Sequence, residues 1–314
     1  MVATAPRMRR SVQAPSSVVM VRPHHFCSNP QTRADNAFQR SDDGLSADDV
    51  RRAAYAEVTE AAAVLESHGV TTHVFDDERE DRPDAVFPNN WFSTHSGGHV
   101  ALYPMEVVNR RRERRSDIID MLKQRYRVQD VIDYSGLEAD GLSLEGTGAM
   151  VLDHVDRVAY VARSRRADPI ALERFCTHFN FEPMVFDAVD ENGTPIYHTN
   201  VLMCIGTEFA MVGVDHVADR RRRAEVIDRL QESGRDIIAL SHRQIAEFAG
   251  NAIELQGDSA RLLALSSRAH ASLTSDQRAI IERSCRLLPL QVPTIELAGG
   301  SVRCMLAGVH LTPR

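Results

Sequence analysis

The sequence predicts an α/β protein made of five repeated units. Each unit reads as strand, strand, helix, strand, and together they form one domain. Three observations predict this. Short apolar runs alternate with amphipathic helical stripes along the chain. The pattern recurs about every 50 to 60 residues, a period that marks radial or stacked arrays. No Pro/Gly/Ser-rich linker divides the chain. Small sheets packed radially, as in a propeller, would place one loop of every unit at the same end of an axis. An ordinary open α/β sheet is the alternative.

The first unit starts with a buried strand at Ser17–Val21. Residues 1–15, with Arg7, Arg9 and Arg10, read as a disordered tail ahead of a domain spanning 16–314. A polar loop from His24 to Gln39 follows. The next helix has Ser46 and Asp49 in a capping-box arrangement, an apolar stripe of Val50, Ala54, Val58, Ala61 and Leu65, and Gly69 at its end. A strand then runs over 70–75. In the second unit, 84–87 and 99–103 read as strands, 111–125 as a helix and 128–132 as a strand. The third has a hairpin over 149–152 and 158–161, a helix opened by Asp168-Pro169, and a strand at 184–186. The fourth has a hairpin over 200–204 and 209–214, a helix from Asp219 and a strand at 236–240. The fifth has strands at 252–255 and 261–265, a helix over 274–285, and strands at 294–297 and 302–306.

Composition narrows the class of function. The chain has 314 residues, 43% hydrophobic and 26% charged, with a net charge of -7. That is a soluble globular profile, and the charge argues against nucleic acid or an anionic membrane as partner. No run approaches the roughly 18 apolar residues of a membrane span. Five cysteines without paired spacing imply reduced thiols in a cytoplasm. A homodimer is compatible with the sequence.

The chemistry-bearing residues sit at matching places in different units. The second offers Asp84 with Asn89, Asn90 and the single Trp91. The third offers Glu145-Gly146-Thr147-Gly148, and the fourth His198-Thr199-Asn200. The last stretch, Gly299-Gly300-Ser301-Val302-Arg303-Cys304, places a thiol after a flexible turn. A thiol, an imidazole and a carboxylate can serve as nucleophile, acid/base and orienting group. The plain alternative for Cys304 is a structural cysteine in a C-terminal strand. The arginine runs 110–115 and 163–166 could each supply a carboxylate-binding guanidinium. His24-His25-Phe26-Cys27 lacks the remaining spacing of a zinc site. No phosphate loop, dinucleotide fingerprint or serine elbow is present.

These residues resemble the guanidino-group modifying superfamily, which includes arginine deiminase, dimethylarginine dimethylaminohydrolase and the amidinotransferases. The likeness runs from about Ser17 to the C-terminus. The segments Asn29–Thr32, Phe87–Trp91 and Leu102–Met105 are similar to those of the citrulline-utilisation hydrolases. The resemblance implies a five-bladed α/β propeller, the pentein fold, that needs no metal or organic cofactor. It implies Cys304 as nucleophile, His198 as acid/base, and Glu145 as the group that orients His198 or holds the substrate's terminal nitrogens. Asp84 would meet the polar head or α-amino group of a small amino-acid substrate. Arg111 and Arg166 would hold its α-carboxylate, with the register inside 110–112 open by one. Asn89, Asn90 and Asn200 stand where arginine-processing relatives carry acids. A buried guanidinium calls for carboxylates, whereas a neutral ureido group suits amides. Citrulline, hydrolysed to ornithine, carbon dioxide and ammonia, is therefore the expected substrate. An arginine or methylarginine hydrolase, an amidinotransferase and a non-catalytic binding propeller are the rivals.

Overall fold

A computed structural model describes residues 13–34, 36–40 and 44–314. Residues 1–12 of the expected tail lie outside the described residues. The last three expected there do not extend as a tail. Gln13 is buried, and its amide donates to the carbonyls of Leu152 (3.1 Å) and Ile205 (3.0 Å).

Fifteen strands form five three-stranded sheets among the described residues. The first sheet holds β1 (Ser17–Pro23) and β2 (Thr71–Asp77), and the second β3 (Phe92–His95), β4 (His99–Leu102) and β5 (Asp130–Asp133). The third holds β6 (Met150–Asp153), β7 (Val158–Ala162) and β8 (Glu182–Phe186). The fourth holds β9 (Met203–Ile205), β10 (Phe209–Val212) and β11 (Asp236–Ala239), and the fifth β12 (Ile253–Gln256), β13 (Arg261–Ser266) and β14 (Arg286–Leu290). The last strand, β15 (Ala307–Gly308), returns to pair antiparallel with β1, so the two ends of the chain complete one sheet. Every sheet has one antiparallel and one parallel pair. A parallel pair needs a crossover, which five helices provide: α1 (Ala47–Ser67), α2 (Ser116–Arg125), α3 (Pro169–Phe179), α4 (Arg220–Glu232) and α5 (Ser275–Glu282). This mixed α/β set of five small sheets is consistent with a fivefold, propeller-like arrangement.

Local sequence explains the crossovers. The Ser46 side chain accepts from the Asp49 amide and starts α1. The stripe Val50, Ala54, Val58, Ala61 and Leu65 is buried in one cluster with Val18 and Met20 of β1. Deleting the Leu65 side chain would cost about 2–5 kcal/mol, the usual range for a core leucine. Asp168 caps α3 by accepting from the amides of Ile170 and Ala171, with Pro169 in the first turn.

The structure corrects three expected strands, and all three corrections shape the site. Residues 84–87 form turns, not a strand, and lead into a 3₁₀ turn at Pro88–Asn90. Pro83 and Pro88 flank the segment and have no N–H for a ladder; the strand there is β3. Residues 294–297 lie largely in a 3₁₀ turn, Ile295–Ala298, and the strand of that region is β14. Residues 302–305 form a helical turn, Val302–Met305, before the two-residue β15. Short apolar runs carry no periodicity that separates strand from buried helix.

Candidate active site

Four of the expected residues precede inner strands of different sheets: Asn90 precedes β3, Glu145 β6, His198 β9 and Cys304 β15. The turns bring them together. Asp84, Asn90, Arg110, Arg166, His198 and Cys304 line one small cavity, with an empty volume of about 250 Å³. Thr32 and Asn36 of the 24–39 loop close one wall. The Asn36 amide donates to the carbonyl of Ala298 at 3.1 Å. At Gly299, φ is +83°, and a Cβ there would collide with Asn36. This glycine is required by conformation and by contact.

Cys304 is buried on its helical turn. Two amide groups point at its sulfur. Asn200 Nδ2 lies 3.3 Å from Sγ and Asn251 Nδ2 lies 3.2 Å from it. Asn251 is fixed by its other bonds: its Oδ1 accepts from the Ser301 amide (3.1 Å), and its Nδ2 also donates to the Asn200 carbonyl (2.9 Å). N–H donors aimed at sulfur can stabilise negative charge that develops there during a reaction.

His198 Nε2 lies 2.8 Å from Glu145 Oε2. Burial pulls the imidazole down to about 4, against the bond to Glu145. Burial alone would raise the Glu145 carboxyl, but the Arg166 and Arg110 guanidiniums and the His198 bond hold it well below the usual carboxylate range. An ionised carboxylate only accepts, so Nε2 carries the proton and Nδ1 the lone pair. That nitrogen can act as a base. Gly148 packs against it: a Cβ there would come 2.9 Å from Nδ1 and 2.1 Å from the Asn90 amide.

Of the arginines 110–112, Arg110 is the one that lines the cavity. Its guanidinium binds Glu113 twice (2.8 and 3.0 Å), meets Glu145 at 3.2 Å and Asp84 at 3.5 Å. With its oxygen turned to Arg110, the Asn90 amide accepts at 2.9 and 3.2 Å and donates to Asn89 Oδ1 at 3.1 Å. Arg111, the expected ligand, turns away from the cavity to the carbonyls of Met105 (3.0 Å) and Glu106 (3.3 Å). Successive residues of the 3₁₀ turn Arg110–Glu113 cannot share one face. Arg166 lies 3.5 Å from Glu145 and 4.8 Å over the Tyr197 ring. Asp84 accepts from Asn29 at 2.8 Å, and burial pushes its carboxyl up against Arg110 and Asn29. Asn89 is buried but does not line the cavity. His24 turns to Asp76 at 3.2 Å and Cys27 is exposed, so that run does not converge. Among the described residues no group of three or more His, Cys, Asp or Glu side chains could hold a metal.

Asn251 was not among the expected residues. The signal was positional: Gly250-Asn251 precedes β12 as Asn90 precedes β3. Assigning Cys304 to the fifth unit hid it, because Cys304 precedes β15, which completes the first sheet.

A buried thiol, imidazole and carboxylate, gathered ahead of the inner strands of small mixed sheets, define the pentein class. Residues 22–311 match the family described as N,N dimethylarginine dimethylhydrolase, eukaryotic, and the chain belongs to that family. Solved structures share its fold. A substituted N-terminal domain of ArgZ covalently bound to a reaction intermediate superposes with TM-score 0.70 at 15% identity, over 93% of this chain and 97% of that one. A substituted AgrE in complex with L-arginine gives 0.72 at 16%, over 95% of this chain and 40% of that one. This chain therefore spans less than half of AgrE. ArgZ is described as a cyanobacterial arginine dihydrolase of the ornithine-ammonia cycle. A dimethylarginine dimethylaminohydrolase adduct with S-methyl-L-thiocitrulline gives 0.60 at 13%, over 94% and 99%. No curated protein matches the chain.

Proposed function

We propose that the protein is a cysteine-dependent hydrolase of the ureido or guanidino group of an arginine-like amino acid, with citrulline as substrate. The observation that carries this reading is Cys304 Sγ, held by two amide donors on the cavity that His198 also lines. In the proposed reaction His198 Nδ1 takes the proton of the Cys304 thiol as Sγ attacks the ureido carbon. The C–N bond to the terminal nitrogen breaks, and His198 delivers the proton with which ammonia leaves. A thiocarbamate joins Sγ to the remaining chain. Water, deprotonated by His198, displaces the sulfur, and the freed carbamate loses carbon dioxide to give ornithine. Glu145 keeps the imidazole in the tautomer this requires. Arg110 is committed to Glu113, Glu145, Asp84 and Asn90, so it serves as their counter-ion. Arg166, which also lines the cavity, is the group proposed for the α-carboxylate, and Asp84 for the polar head or α-amino group.

The Asn90 amide on the cavity wall and the Asn200 amide beside Sγ support a neutral ureido head. The second reading is arginine, which the Asp84 carboxylate on the cavity wall favours, as do the arginine-processing structures of the same fold. Purified protein incubated with each amino acid, with ammonia and ornithine measured, separates the two. Turnover of arginine but not citrulline overturns the first reading. Turnover of neither overturns both of these readings.

A further inference from the structure

A second polar cavity lies behind the nucleophile turn. The Arg303 side chain lines two adjoining hollows, whose shared walls also include His154, Ile253 and His310. Their empty volumes are about 420 and 310 Å³. All five inner strands contribute to these walls: Thr94 from β3, Leu152 from β6, Cys204 from β9, Ile253 from β12 and Ala307 from β15. The space therefore lies where the five sheets converge. It shares none of its lining with the cavity that holds Cys304 and His198.

Among the described residues, Arg303 makes one side-chain hydrogen bond, from Nη1 to the carbonyl of Leu306 at 2.9 Å, and no ion pair. A guanidinium has five N–H donors. Burial pulls this one below its usual value, with the Cys304 and Cys204 thiols opposing the shift. The His154 and His310 rings stack beside it at 3.9 Å. Burial, with the nearby His310, His95 and arginines, holds His154 well below its usual value, so His154 is neutral and has an N–H to offer. Among the described residues the one carboxylate in these walls is Glu254. It accepts from Thr207 at 2.6 and 2.8 Å and meets Arg261 at 3.5 Å, so it is engaged away from Arg303. Arg303 is half-buried, and a guanidinium drawn partly out of water with no counter-charge beside it favours an anionic partner.

We propose that Arg303, with His154 and His310, forms a binding site for a small inorganic anion that neutralises the base of the turn carrying Cys304. The Arg303 guanidinium and the His154 N–H suit a small anion such as chloride or bicarbonate. The site is structural, and it stands whatever substrate Cys304 attacks.

Two measurements on the full chain test it. Thermal unfolding is followed while chloride, bicarbonate and the bulkier gluconate are titrated at constant ionic strength. A saturable rise in Tm is expected with chloride or bicarbonate and not with gluconate, about 4 °C at a hundredfold excess over Kd. Whichever of the two ions saturates at the lower concentration identifies the occupant. The rise should vanish in Arg303→Met. Should that variant fail to fold, crystals of the unaltered protein soaked in bromide decide the matter. An anomalous peak in contact with Arg303 supports the site. No peak there, or equal stabilisation in wild type and Arg303→Met, overturns it.

Discussion

Asn251 Nδ2 lies 3.2 Å from Cys304 Sγ while its Oδ1 accepts the Ser301 amide at 3.1 Å. One side chain thus fixes both the turn and the thiol it presents. Asn251→Ala should lower kcat/KM by about 10- to 100-fold, the effect of removing one hydrogen bond to a developing charge. It should also slow iodoacetamide alkylation of Cys304. The alkylation rate needs no substrate, so it reads the thiol even if citrulline is the wrong amino acid. An unchanged rate would remove Asn251 from the mechanism.

Cys304→Ala should abolish turnover with the fold intact by circular dichroism. Intact mass spectrometry of the wild type during turnover should show a covalent adduct on Cys304 and on no other thiol. Adduct formation that persists in Cys304→Ala would sink the covalent route.

Gly148 has no room for a methyl group, because a Cβ would come 2.1 Å from the Asn90 amide and 2.9 Å from the His198 ring. Gly148→Ala should displace His198 and cut kcat by about 100-fold, as small misplacements of a catalytic group do. Stability should fall by about 1–3 kcal/mol, the usual cost of overpacking. Chemical denaturation and steady-state kinetics check the two effects separately.

Adjacent arginines should behave differently. Arg110→Ala leaves Glu113, Glu145 and Asp84 buried without their shared cation, and should cost about 3–5 kcal/mol. Arg111→Ala loses two bonds to carbonyls at a half-buried position and should cost about 1–2 kcal/mol. Equal losses in urea melts would contradict the register found here.

His198 has its folded value lowered to about 4. The unfolded imidazole, near 6.5, takes up its proton first as pH falls. The stability owed to the neutral ring is therefore complete above about pH 6.5 and is lost down to about pH 4, by roughly 3 kcal/mol. The acid limb of kcat/KM should likewise fall near pH 4, not near 6.5. An acid limb near 6.5 would show that His198 is not held neutral in the free protein.

The sequence made the repeat legible because strand runs, capping residues and helix stripes are local signals. Ser46 and Asp168 announced their helices, and the cysteine, histidine and glutamate stood out by residue type and place. Turn geometry was not legible. Residues 84–87 and 302–305 have the composition of short strands, and only the packing around them makes one a turn and the other helical.

The sequence by itself determined which residue types would meet, since five equivalent units place equivalent loops at one end. Tertiary structure alone decided which neighbour faces inward. Arg110 enters the cavity and Arg111 leaves it because a 3₁₀ turn separates them by about 120°. Asn251 reaches Cys304 because β15 completes the first sheet and brings the chain's last turn beside the start of β12, contacts that no local pattern encodes.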